Sequence, residues 1–178
     1  MRLIAVTTPE FWEGESRAIS VLLEEKGFWR VHIRKPGAAT EAIRELLLEI
    51  PARLRPYLSL HDAHQLAGEG LAGGAHLNGR NPKRPHSFQG IVSRSCHTLQ
   101  EVNLHLTEVD YLFLSPIFDS ISKTGYKSRF NPADLKAAGV TGPKVMALGG
   151  VTYERLPELA DAGFGGAAML SCAWKDFI

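Results

Sequence analysis

Asp110–Tyr126 reads DYLFLSPIFDSISKTGY. It opens on Tyr111-Leu112-Phe113-Leu114, a short apolar run rich in aromatics, which is how a strand buried on both faces reads. The run stops at Ser115-Pro116, and the polar segment after it closes at Gly125; proline and glycine at the two ends mark a loop, not a helix. That loop carries the hydroxyls of Ser120 and Ser122 and the ammonium of Lys123. Short hydroxyl donors beside a point positive charge suit phosphate oxygens. The same residue types also fill solvated loops that bind nothing, so the decision falls to the rest of the chain.

The unit of an apolar run closed by polar residues recurs on both sides. Upstream, Leu3–Thr7 is a β-rich run stopped near Pro9, and Ser16–Lys26 carries Ala18, Ile19, Val21, Leu22 and Leu23 at helical spacing before Gly27. Trp29–Ile33 reads as a second strand, ending in Arg34-Lys35-Pro36-Gly37. Thr40 is placed to cap a helix running through Ile43, Leu46 and Leu47 to about Leu54, with a break at Pro51. Tyr57–Leu60 is a third strand, ending in His61-Asp62, with a short helix over Gln65–Glu69. Ala75–Leu77 is a fourth strand; Asn78–Ser87 shows no helical period, so this unit is expected to lack its helix. Gly90–Val92 is a fifth, ending in Arg94-Ser95-Cys96-His97. Glu101 lies three residues after Thr98, the capping-box spacing, ahead of Leu99, Val102, Leu106 and Val109 on one helical face.

Downstream, Pro132 opens a short helix over Asn131–Ala138. Lys144–Leu148 is a seventh strand, ending in Gly149-Gly150. Pro157 delays the helix of Tyr153–Ala162, and Gly166–Leu170 is an eighth strand, ending in Ser171. Strands alternating with helices argue a parallel α/β fold. Eight such units in residues 1–178 predict one small (β/α)8 TIM-barrel domain, below the about 250 residues typical of that fold. An open doubly wound sheet is the alternative; it wants a glycine-rich loop after the first strand, which Thr7-Thr8-Pro9 does not supply. No room remains after Ser171 for a full final helix. Apolar surface is therefore expected between the first and eighth strands, covered by another subunit in a homo-oligomer or by further chain.

Composition narrows the function classes. With 20 Lys+Arg against 19 Asp+Glu the net charge is +1, so there is no basic field for nucleic acid. Cys96 and Cys172 form no CxxC pattern, no secretory leader pattern precedes Leu3, and no apolar stretch is long enough to span a bilayer; a reduced, cytoplasmic protein is expected. Histidines His61, His64, His76 and His97 can be drawn as a transition-metal cluster, but their spacing is not a known ligand pattern.

In a barrel the active site lies at the C-terminal strand ends. There this chain places Arg34 and Lys35, His61 and Asp62, Ser95 and His97, the Ser120–Lys123 loop, Gly149-Gly150 and Ser171. These types converge on an anion site with one carboxylate. Paired glycines allow close backbone approach to a phosphate. Two phosphate-friendly regions predict a substrate with more than one phosphate, or two phosphorylated substrates.

These residues carry a resemblance to the thiamine phosphate synthase / thiazole tautomerase superfamily along nearly the whole chain. Ser115–Lys123 resembles the family's G-P-I-[FY]-x-T-x-[TS]-K, which implies that Ser120 and Ser122 hold a thiazole phosphate and that Lys123 faces a pyrophosphate. Arg34 matches the arginine of the second-strand L-R-x-K, Asp62 the magnesium-binding aspartate of N-D, and Ser95 and His97 the S-x-H. Gly149, Gly150 and Ser171 match the glycine pair and serine that grip the thiazole phosphate. The resemblance implies joining of hydroxymethylpyrimidine pyrophosphate to thiazole phosphate with release of pyrophosphate, aided by Mg2+ and needing no protein nucleophile.

The chain departs from that pattern at three places. Lys35 follows Arg34 directly, one place early, and adjacent strand residues face opposite ways. His61 replaces the asparagine of N-D. Asn81 replaces the second carboxylate of the metal site, and Mg2+ favours charged oxygen ligands. Meanwhile Arg94–Glu101 resembles the tautomerase branch's R-S-x-H-S-L-x-E, which implies that His97 shuttles a proton. Three readings therefore stand: synthase, metal-free thiazole tautomerase, and non-catalytic binder of thiazole or thiamine phosphate.

Overall fold

The computed structural model describes residues 1–119 and 130–178. Parallel strands β1 (Arg2–Val6), β2 (Arg30–Ile33), β3 (Leu58–Leu60), β4 (Gly74–Leu77), β5 (Ile91–Cys96), β6 (Tyr111–Leu114), β7 (Val145–Leu148) and β8 (Gly166–Met169) close into a barrel in chain order. Closure is made where β1 pairs with both β2 and β8. The expected strands all form, and β5 runs on through Arg94 and Ser95 to Cys96.

Side chains alternate across each strand, and this splits the core in two. Ile4, Val6, Tyr111, Phe113, Met146 and Ala168 fill the lumen. Val31, Ile33, Leu58, Leu60, Leu112 and Leu114 face outward into a second cluster beneath the helices. The helices are α1 (Glu15–Glu24), α2 (Thr40–Glu49), α3 (Gln65–Gly68), α4 (Leu99–His105), α5 (Pro132–Ala137), α6 (Leu156–Asp161) and α7 (Ser171–Trp174). Among the described residues no helix is long and apolar enough to cross a membrane.

Side-chain caps start two of these helices. Thr98 and Glu101 form the full capping box of α4, and Asn131 caps α5 by accepting from the Ala133 N–H. Thr40 is a correction: it is the first residue of α2, behind an Ala39 cap, and its hydroxyl accepts from Gln65 Nε2. Beyond Pro51 the predicted extension of α2 is a 3-10 turn over Ala52–Tyr57. No helix follows β4, so residues 78–90 are free to run over the barrel mouth. Part of the surface expected to be bare between β1 and β8 is covered from within the chain. The one-turn α7 inserts Trp174, fully buried, whose Nε1 donates to the Val6 carbonyl at 2.7 Å, with Trp12 edge-on against it.

Candidate active site

A cavity of about 530 Å³ opens at the C-terminal mouth of the barrel. Its charge is one-sided. Arg34 from the end of β2, Arg80 from the loop after β4 and Arg94 from β5 line it, with His61, His97 and His105; Glu101 is the only carboxylate among the described lining residues. Val6, Leu148 and Leu170 give it an apolar flank. No described residue forms an ion pair with Arg34, whose backbone N–H is held by Thr7 Oγ1 at 2.9 Å. Arg94 donates from Nη2 to the Pro82 carbonyl at 2.7 Å, pinning the 78–90 loop to the barrel wall.

His97 is set by β6 and the cap of α4. Its Nδ1 lies 3.1 Å from the Ser115 carbonyl and 3.2 Å from the Ser115 hydroxyl. A carbonyl only accepts, so Nδ1 carries the proton and Nε2 is left as the basic nitrogen. The Glu101 carboxylate holds the His97 and Thr98 N–H groups.

Below the mouth lies a polar patch that strand-end position reveals only in part. His32 Nδ1 pairs with His61 Nε2 at 2.9 Å, and His32 Nε2 with the Tyr111 hydroxyl at 2.6 Å across the lumen. His76 engages Ser93 and Ser95 through its two nitrogens, each at 2.8 Å. His32, His61 and His76 are close enough to share an ion. Both nitrogens of His32 and of His76, and Nε2 of His61, are engaged with one another or with hydroxyls, and His61 stacks on His76 at 4.0 Å between ring centroids. Burial drives all three well toward the neutral form, His76 to about 3. Sequence reasoning misses His32 because it stands mid-strand, where a polar residue carries no strand-end signal. His64 is not in the cluster; its Nε2 pairs with the His76 carbonyl.

The structure brings Arg34, His61, Ser95 and His97 to one cavity. Lys35 is a correction. It does not line the cavity, is fully buried, and spends its ammonium on Glu15 at 2.7 and 2.8 Å and on the Thr8 and Glu10 carbonyls. Gly149, Gly150 and Ser171 do not line the cavity. Both glycines have positive φ, and a Cβ on Gly150 would stand 2.4 Å from the Asp119 carbonyl oxygen. The pair thus admits residues 116–119 to close approach. Ser120, Ser122 and Lys123 lie outside the described residues. Burial lifts the Cys96 thiol to about 11, which keeps it unreactive.

Among the described residues, Asp62 and Asn81 as placed do not fit Mg2+. Asp62 lies behind Arg80 rather than on the cavity wall. Its Oδ1 accepts from Arg80 Nε at 3.1 Å and its Oδ2 from Arg80 Nη2 at 3.0 Å. Asn81 aims its amide nitrogen at Asp62 Oδ1 and at the His61 carbonyl, so it donates where a metal ligand must accept.

The description thiamine monophosphate synthase belongs to the family model that matches residues 3–173. The thiamine-phosphate synthase of Latilactobacillus sakei is 34% identical over 84 residues, covering 46% of this chain and 38% of its own length. That of Levilactobacillus brevis is 30% identical over 109 residues, covering 56% and 50%. The chain thus spans half or less of the curated relatives it matches. The crystal structure of thiamine phosphate pyrophosphorylase from Bacteroides thetaiotaomicron superposes with TM-score 0.86 at 38% identity, over 100% of this chain and 87% of that one. The corresponding protein of Pyrococcus furiosus, at 21% identity and TM-score 0.76 over 96% and 85%, shares the fold.

Proposed function

We propose, because this chain belongs to the thiamine monophosphate synthase family, that it joins hydroxymethylpyrimidine pyrophosphate to thiazole phosphate. The observation that carries this reading is the convergence of Arg34, Arg80 and Arg94 on one mouth cavity with an apolar flank. In the reaction the pyrimidine methylene–oxygen bond breaks, its electron pair leaving on pyrophosphate. The thiazole nitrogen lone pair then forms the new carbon–nitrogen bond. Guanidinium groups set around the leaving group stabilise the negative charge as it develops, and they do so without reorganising. Val6, Leu148 and Leu170 offer a surface on which planar rings align for attack.

A second reading, thiazole tautomerisation, draws on His97. Its proton is committed to Ser115 through Nδ1, which leaves Nε2 as a base toward the cavity. Chromatography of the products separates the two. Incubation with both substrates should yield thiamine phosphate, and Arg34→Ala should lower kcat/KM by roughly 100-fold or more, as for loss of one charge-stabilising donor. Interconversion of thiazole phosphate isomers without condensation, abolished in His97→Gln, would transfer the assignment to the tautomerase.

A further inference from the structure

We infer that Arg80 stands permanently where a divalent cation would otherwise sit, so that this cavity takes a diphosphate without metal. The inference rests on the diphosphate-releasing reading above. Its first support is charge balance. Asp62, the neutral amide of Asn81 and the Arg80 guanidinium sum to zero. The single carboxylate is thus already neutralised by a side chain, with no unpaired charge left to hold a divalent ion.

The second support is donor count. A guanidinium has five N–H donors. Asp62 takes one from Nε and one from Nη2. The remaining three belong to a side chain that is 52% exposed and lines the cavity, while Asp62 is only 18% exposed. A planar, always-charged fork suits phosphate oxygens in pairs.

Preorganisation is the third. The Asn78 side-chain oxygen accepts from the Arg80 and Asn81 N–H groups at 2.9 and 3.0 Å, and its amide donates to the His61 carbonyl at 2.9 Å. The turn that carries Arg80 is thereby tied to the end of β3, beside Asp62. Arg34 and Arg94 line the same cavity, so its positive charge is assembled before any ligand enters.

The test is calorimetric binding of inorganic pyrophosphate in EDTA and in Mg2+, to the intact chain and to Arg80→Ala and Arg80→Gln, with condensation measured in the same buffers. Thermal melts matching the parent show that the variants fold. Pyrophosphate bound in EDTA, with affinity at least tenfold weaker in both variants, supports the inference. Binding and turnover that require Mg2+, or that survive loss of Arg80, overturn it while leaving the condensation reading in place. Arg80-dependent binding in EDTA without condensation in either buffer keeps this site and removes the condensation reading instead.

Discussion

Arg34 and Lys35 are adjacent cations with opposite fates. Arg34 lines the mouth cavity, whereas Lys35 is buried against Glu15. Burial pulls the Glu15 pKa up and the Lys35 pKa down, each toward neutrality, while the hydrogen bond between them opposes both shifts. Removing one partner strands the other in a dry site. Lys35→Met is therefore expected to lower stability by roughly 3–5 kcal/mol, and the double variant Lys35→Met/Glu15→Leu by clearly less. Urea unfolding reads both. Equal losses in single and double variants, or pyrophosphate affinity lost in Lys35→Met, would return Lys35 to the substrate site.

At the scale of elements, α4 ties stability to chemistry. Its capping box satisfies the first free N–H groups of the helix. The same Glu101 carboxylate holds the His97 N–H, so the cap also positions the histidine at the cavity. Thr98→Ala should cost about 1 kcal/mol, with Thr98→Ser near neutral. A denaturation midpoint unmoved in Thr98→Ala would show that the box contributes nothing. The loop after β4 is the counterpart. Without a helix of its own, it is held by Arg94 on the Pro82 carbonyl and by Asn78 on the His61 carbonyl just after β3, and so delivers Arg80 to the mouth.

For the molecule as a whole, the lumen sets the response to acid. His32, His61 and His76 refuse protons in the folded barrel, whereas in the unfolded chain they accept them near 6.5. Below that pH the unfolded state binds more protons, so stability falls as pH falls. His76, pushed to about 3, alone withdraws roughly 2 kcal/mol by pH 5. Glu15, whose pKa is raised, acts in the opposite sense near its own range. The urea midpoint should drop between pH 7 and pH 5, and His76→Phe should flatten that slope. A midpoint independent of pH would mean the luminal histidines are not buried as a neutral group.

The order and type of the strands, the α4 cap and the missing helix after β4 follow from local pattern, because apolar periodicity and capping chemistry act over a few residues. That Arg34, His61, Ser95 and His97 meet at one cavity was legible for a related reason: barrel strands end at one mouth, so position along a strand predicts convergence. Other assignments needed the fold. The contact with Glu15 of α1 decided that Lys35 leaves the cavity. Barrel closure set His32 of β2 against Tyr111 of β6, residues 79 apart in the chain. Trp174 filled the space beside β1 that a missing helix left open. The Arg80–Asp62 pair joins two loops that meet only once β3 and β4 lie side by side. Each is a contact between residues distant in sequence, and no local period encodes such a contact.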